Sequence, residues 1–140
     1  MGRKYKVLIP VLLLIIVCSC SKTPENIAEM EVDFTWEYND YGSQDNPEIH
    51  LKGVPGGTKR FFVGLQDLDF PGYNHGGGYA VNDGSGIIQR GAAKGTYNGP
   101  APWKPDMIHL YEITVEAYDE NSNIIGKGKK ALKYPYPRAG

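Results

Sequence analysis

Three short stretches of the chain carry side chains that can bind a charged ligand or move a proton. Asp67-Leu68-Asp69-Phe70-Pro71 sets two carboxylates two residues apart ahead of a proline. Tyr73-Asn74-His75-Gly76-Gly77-Gly78 adds an imidazole and a run of glycines. Gly99-Pro100-Ala101-Pro102-Trp103 is a stiff loop that ends in an indole and leads to His109. Two imidazoles converging on one cavity hold an anion by donating hydrogen bonds, each contributing about 1.5–3 kcal/mol when a partner is charged. A carboxylate beside them either orients an imidazole and holds its charge or meets an amine on the ligand. Trp103 can lie across an ammonium. Successive glycines permit positive φ and turn amides inward, a nest that suits an anion. Brought to one place, these residues would make a hollow with a cationic floor, His75 and His109, and an acidic rim, Asp67 and Asp69.

Each residue also has a plainer use. His109 shares a face with Ile113 and Val115, where a histidine can be a satisfied part of the core. Asp67 and Asp69 can cap a turn through main-chain amides. The glycines can form a bulge, Trp103 can pack as wall, and His50, outside these stretches, reads as structural.

Strands must position the three stretches. Met30, Val32, Phe34 and Trp36 alternate with Glu31, Asp33, Thr35 and Glu37, the period of a half-buried strand. Residues 41–47 have the composition of a loop, and Ile49 and Leu51 mark a short strand stopped by Gly53-Val54-Pro55-Gly56-Gly57. Residues 59–66 form a more continuous apolar run, the mark of a central strand. Residues 79–81 predict a brief strand, and residues 108–118 alternate strictly, with His109, Tyr111, Ile113, Val115 and Ala117 on one face. Residues 124–134 close the fold as a strand studded with Lys127, Lys129, Lys130 and Lys133, a device that guards a sheet edge. No stretch beyond the first twenty residues carries a helical stripe. The expectation is an all-β domain, a sandwich of antiparallel sheets with little helix.

The chain has 140 residues, enough for one ordinary domain. Its formal charge of −1 provides no footprint for nucleic acid. Two cysteines, Cys18 and Cys20, cannot frame a disulfide-stapled fold.

The N-terminus reads as an address. Arg3, Lys4 and Lys6 precede an apolar run over residues 7–17, whose eleven residues span about 16 Å as helix, roughly half a bilayer core. That is the shape of a secretory signal. Val17-Cys18-Ser19-Cys20 resembles a bacterial lipobox, which implies cleavage before Cys20 and acylation there; Ser21 in the next position implies outer-membrane sorting. The expected organisation is a lipoprotein signal over 1–19, a lipid-anchored tether over 20–29 and a β domain over 30–140. Loss of Arg3, Lys4 and Lys6, from 15 basic residues against 16 acidic, leaves a mildly acidic mature chain of net charge −4.

From residue 46 to about 119 the chain resembles the phosphatidylethanolamine-binding protein (PEBP) family, also called Raf-kinase-inhibitor-like proteins. The family pattern D-P-D-x-P, a histidine segment, then G-P-C-P-P…H-R-Y is matched by DLDFP (67–71), NHGGGYAV (74–81) and GPAPWKPDMIHLY (99–111). Upstream, NPEIHLKGVPGGTK (46–59) is similar to the family's segment ending in gvP.gTk. The resemblance implies a β-fold with a small pocket at one end for phosphate-like anions or phospholipid head groups. It carries Asp67, Asp69, His75, Pro102 and His109 into that pocket, and Trp103 stands where the family has a second proline. The chain departs from the pattern at Leu68, Ala101, Trp103 and Leu110, which replace a proline, a cysteine, a proline and an arginine.

The expected function is that of an extracytoplasmic binding module, lipid-anchored in the cell envelope, for a phosphate-containing small molecule or a phospholipid head group. No cofactor, metal or nucleic acid is expected, and no protein partner is specified. No Ser-His-Asp signature or phosphate-binding P-loop marks the chain as an enzyme. Two alternatives remain at this level. One is a cell-surface glycan-binding β-sandwich that uses the many tyrosines as a stacking platform. The other is a metal-dependent hydrolase with Asp67, Asp69, His75 and His109 as ligands.

Overall fold

The computed structural model describes residues 1–2, 26–104 and 107–134. The signal, Cys20 and most of the tether therefore lie outside the described residues. The strands are β1 (Ala28–Glu29), β2 (Glu31–Phe34), β3 (Ile49–Lys52), β4 (Arg60–Asp67), β5 (Asn74–Val81), β6 (Ile87–Ile88), β7 (Lys94–Gly95), β8 (His109–Tyr118) and β9 (Ile124–Tyr134), with one 3-10 turn at Tyr38–Asp40. They form two sheets, a six-stranded one ordered β1-β9-β8-β4-β5-β7 and a three-stranded one ordered β2-β3-β6. The fold is all-β, as the alternation predicts.

Alternation explains where the core sits. Tyr111, Ile113, Val115 and Ala117 on β8 are each 0% exposed. Phe61, Val63 and Leu65 continue that layer on β4, and Val32, Phe34, Ile49 and Leu51 cover it from the smaller sheet. Each large apolar side chain buried this way contributes about 1.5–3 kcal/mol. At Met30 the chain passes from one sheet to the other. Ala28 and Glu29, which composition places in the tether, pair in parallel with Gly126 and Lys127 of β9.

The lysines of β9 do more than guard an edge. Short β1 covers the start of β9, and β8 flanks its whole length. Lys127 pairs with Glu116 at 2.8 Å and Lys129 with Glu112 at 3.1 Å across the β8–β9 ladder, while Lys130 reaches Asp33. Such exposed pairs are worth about 0–1 kcal/mol. Lys129→Ala should therefore lower stability by about 0.5 kcal/mol or less in urea denaturation.

The largest departure from expectation is β5. The glycine run, read as a bulge, a turn or an anion nest, lies inside an eight-residue strand paired with β4 from Asn74 to Val81, with a bulge in the register at His75–Gly76. The glycines are there because other chain segments crowd them. A Cβ on Gly77 would meet Phe62 Cζ at 2.4 Å and the Val63 carbonyl oxygen at 2.6 Å. The run serves close packing: Gly77 and Gly78 pair with β4, and the Gly76 amide donates to Asn74 Oδ1 at 2.8 Å.

Candidate functional site

β8, β4 and β5 are neighbours in the large sheet, and their antiparallel order brings one end of each to the same place. β4 ends there with Asp67, β5 begins there with Asn74 and His75, and β8 begins there with His109. Residues more than forty positions apart thus meet through topology alone.

Asp67 is the hub. Its Oδ1 accepts the amides of Asp69 at 2.9 Å and Phe70 at 3.0 Å, which closes the turn after β4. Its Oδ2 lies 2.7 Å from His109 Nδ1, in a pair whose side chains are 5% and 12% exposed. Burial alone would raise the Asp67 carboxyl, but the His109 bond and the two amides outweigh it and hold the group below its ordinary range. The capping reading of Asp67 is thus realised in geometry.

Asp69 behaves differently. Its Oδ2 accepts the Leu110 amide at 2.6 Å, and Leu68 N donates to Leu110 O at 2.8 Å. The second carboxylate clamps the turn to β8 and does not line the hollow.

His75 is 2% exposed. Its Nδ1 faces two carbonyl oxygens, Asn98 at 2.9 Å and Gly99 at 3.1 Å, so Nδ1 carries a proton and donates. The ring lies edge-on to Tyr73, centroids 4.7 Å apart, and to Tyr111, at 5.4 Å. Nε2 is then its one polar atom without a protein partner among the described residues. Burial and the nearby Asp67 charge push the Tyr111 hydroxyl well above its ordinary range, so it stays a neutral phenol that accepts the Ala101 amide at 3.2 Å.

These groups surround a hollow of about 330 Å³ lined by Asp67, Phe70, Tyr73, His75, Ala101 and Trp103. Buried Asp67 and His75 form its depth. Phe70, Tyr73 and Trp103, which are 42%, 46% and 75% exposed, form its mouth. Trp103 stands at 90° to Phe70 with centroids 5.6 Å apart, so the two rings make a corner. The predicted acidic rim is replaced by an aromatic one, with the carboxylate inside. His109 supports Asp67 from behind, and Pro102 is buried beside the hollow with its carbonyl accepting the Tyr41 hydroxyl at 3.0 Å. Phe70 and Tyr73 were not singled out from the sequence. Their signal was two aromatics flanking Pro71-Gly72 in a turn, where core packing has no use for them.

Among the described residues no three of His, Cys, Asp and Glu come together as a metal-holding group. The rings on the other face of the large sheet are tilted, Phe62 to Tyr79 by 57° and Tyr79 to Tyr118 by 65°, and Arg60 lies over the latter two. That arrangement is not a flat shelf for a sugar.

No protein-family model matches the chain, and no curated protein matches it. Solved structures do. Escherichia coli YbcL, described as a new member of the mammalian PEBP family, superposes with a TM-score of 0.57 at 20% identity, over 76% of this chain and 98% of that one. A PEBP homologue from Chlamydia trachomatis superposes with a TM-score of 0.56 at 18% identity, over 79% and 99%. The fold is PEBP-like. Within this PEBP-like fold three of the motif blocks, 67–71, 74–81 and 99–111, contribute residues at the hollow, while the upstream block, 46–59, lies on β3 and the loop after it. Two of the departures from the family pattern lie on its lining: Ala101 contributes a short wall, and Trp103 one side of the aromatic corner.

Proposed function

We propose that the protein is an envelope lipoprotein, anchored through Cys20, whose PEBP-like domain binds a phosphate-bearing small molecule or phospholipid head group. The observation that carries this reading is the buried Asp67–His109 pair, 2.7 Å long, at the base of a hollow whose wall holds His75. His75 Nε2 is the atom placed to donate to a phosphate oxygen once the ring is protonated. Asp67 holds the neighbouring imidazole in register and supplies negative charge for an ammonium on the same ligand. The corner of Phe70 and Trp103 suits that ammonium too, through the electron-rich faces of the rings. A head group that joins phosphate to an alkylamine uses both halves of the site.

Calorimetry with inorganic phosphate and phosphoethanolamine tests the proposal. His75→Ala should weaken phosphoethanolamine by about 10-fold or more, the loss of one charge-assisted contact. Binding indifferent to His75→Ala would overturn the reading.

Trp103→Ala separates the two halves. The indole is mostly exposed, so the fold should be unaffected. Phosphoethanolamine should lose about 0.5–1 kcal/mol, the scale of an exposed cation–π contact, while inorganic phosphate binds as before. Equal losses for both ligands would remove the ammonium from the account.

A further inference from the structure

The hollow and the point where the described chain enters the large sheet, at Ala28, lie at opposite ends of that sheet. β9 runs from Gly126, paired with Ala117, to Tyr134, paired with His109 at the hollow. β1 is parallel to β9 and pairs at its beginning, Ala28 with Gly126. The chain before Ala28 therefore arrives from the end remote from the hollow. That end also carries the turn joining β8 to β9, where Asp119 N donates to Asn123 O at 3.0 Å.

Lengths decide what this allows. Ala117 and His109 are eight residues apart on one strand, which separates Ala28 from the level of His109 by about 27 Å. Eight residues lead from Cys20 to Ala28, and even fully drawn out they span at most about 26–29 Å. The mouth residues Phe70 and Trp103 lie on the loops beyond the strand ends. To lay the mouth on the bilayer that holds Cys20, the linker would have to run the whole length of the domain at full stretch. With the mouth pointing away, no stretch is needed.

We propose that the protein stands on its membrane with the hollow facing away from it, and takes a phosphate-bearing ligand from the aqueous side rather than from the lipids of its own bilayer. This inference rests on the lipid-anchored, phosphate-binding reading above and adds the source of the ligand. A soluble head-group fragment and a lipid head group share the same chemistry; the geometry favours the soluble source.

Two measurements on the acylated protein in vesicles test it. The mature chain has no other free thiol if Cys20 is acylated, so Lys104→Cys beside the mouth and Asn121→Cys at the remote turn each accept one fluorescent donor. Energy transfer to an acceptor lipid in the outer leaflet reports height above the bilayer. Stronger transfer from the label at position 121 is expected. Equal or stronger transfer from position 104 overturns the orientation, as does an unmodified Cys20 in mass spectrometry of the protein isolated from membranes.

The second measurement titrates phosphoethanolamine into protein anchored in galactolipid vesicles, which carry no phosphate, and in vesicles of phosphatidylethanolamine. The same affinity in both supports an aqueous source. Weaker apparent binding in phosphatidylethanolamine vesicles means that the protein's own bilayer competes, and overturns it. No binding in either overturns the ligand reading, while energy transfer still decides the orientation.

Discussion

Asp67→Ala is expected to remove about 3–5 kcal/mol of stability, the loss that follows when one member of a buried charged pair is deleted. Natural domains hold only about 5–15 kcal/mol in total, so this is a large fraction. Three partners lose their acceptor at once: the Asp69 amide, the Phe70 amide and His109 Nδ1. Asp67→Asn keeps an oxygen for the two amides and loses the charge facing His109, so it should cost less, about 1.5–3 kcal/mol. The order wild type, Asn, Ala in urea denaturation at neutral pH checks the argument. The pH dependence has a definite sign. The folded-state carboxyl sits below its unfolded value, so its contribution is full above the ordinary carboxylate range and is lost as pH falls through the folded value. The gap between wild type and Asp67→Asn should therefore be widest near neutrality and close towards strong acid. A gap that stays constant from neutrality into strong acid would mean that Asp67 acts by shape and not by charge.

How much of this was legible in the sequence differs by element, for physical reasons. β8 and β9 were readable almost to the residue, β8 because its alternation reflects one buried face and β9 because a turn-forming run over 119–123 marks its start. β3 and β4 were readable because glycines and prolines stop the first and a solid apolar run marks the second. β5 was missed beyond its last three residues, because its first half is built from glycines. Their cause is tertiary: Thr96, Phe62 and Ala93 approach too closely for any side chain, and no local pattern records an approach by distant chain. The site divides along the same line. Asp67, His75 and His109 were placed in one locality by the order of motif blocks. Spacing alone could not separate Asp67, which faces the hollow, from Asp69, which clamps Leu110, since both lie in the same turn and share a residue type. The aromatic mouth was half visible, in Trp103 but not in Phe70 or Tyr73.

Gly76→Ala should be among the most damaging single-methyl additions in the domain, and it tests whether the glycine run serves packing. Gly76 has φ +68°, and a Cβ there would stand 2.2 Å from the Thr96 carbonyl oxygen and 2.7 Å from Thr96 Oγ1. The left-handed backbone by itself costs a side-chain-bearing residue about 1–2 kcal/mol. Forced overlap in a packed region adds about 1–3 kcal/mol, and here the obstacle is backbone, which cannot swing aside as a side chain would. Thr96 is held by its amide to Gly77 O at 2.8 Å, and the Asn98 amide is bound to His75 O at the same distance. Moving Thr96 therefore drags the segment whose Asn98 and Gly99 carbonyls accept His75 Nδ1–H. The expected result is a loss of roughly 2–5 kcal/mol in urea denaturation, the sum of strain and overlap, with the His75 Nδ1 proton signal lost from the NMR spectrum. Gly84→Ala is the matched comparison, since Gly84 has φ +85° and open space around it. It should show the strain alone, about 1–2 kcal/mol, and leave the His75 proton untouched. If the two substitutions cost the same, the approach of Thr96 is not what demands glycine at position 76. The placement of His75 would then have to come from the Tyr73 and Tyr111 rings that flank it rather than from the strand pairing beneath.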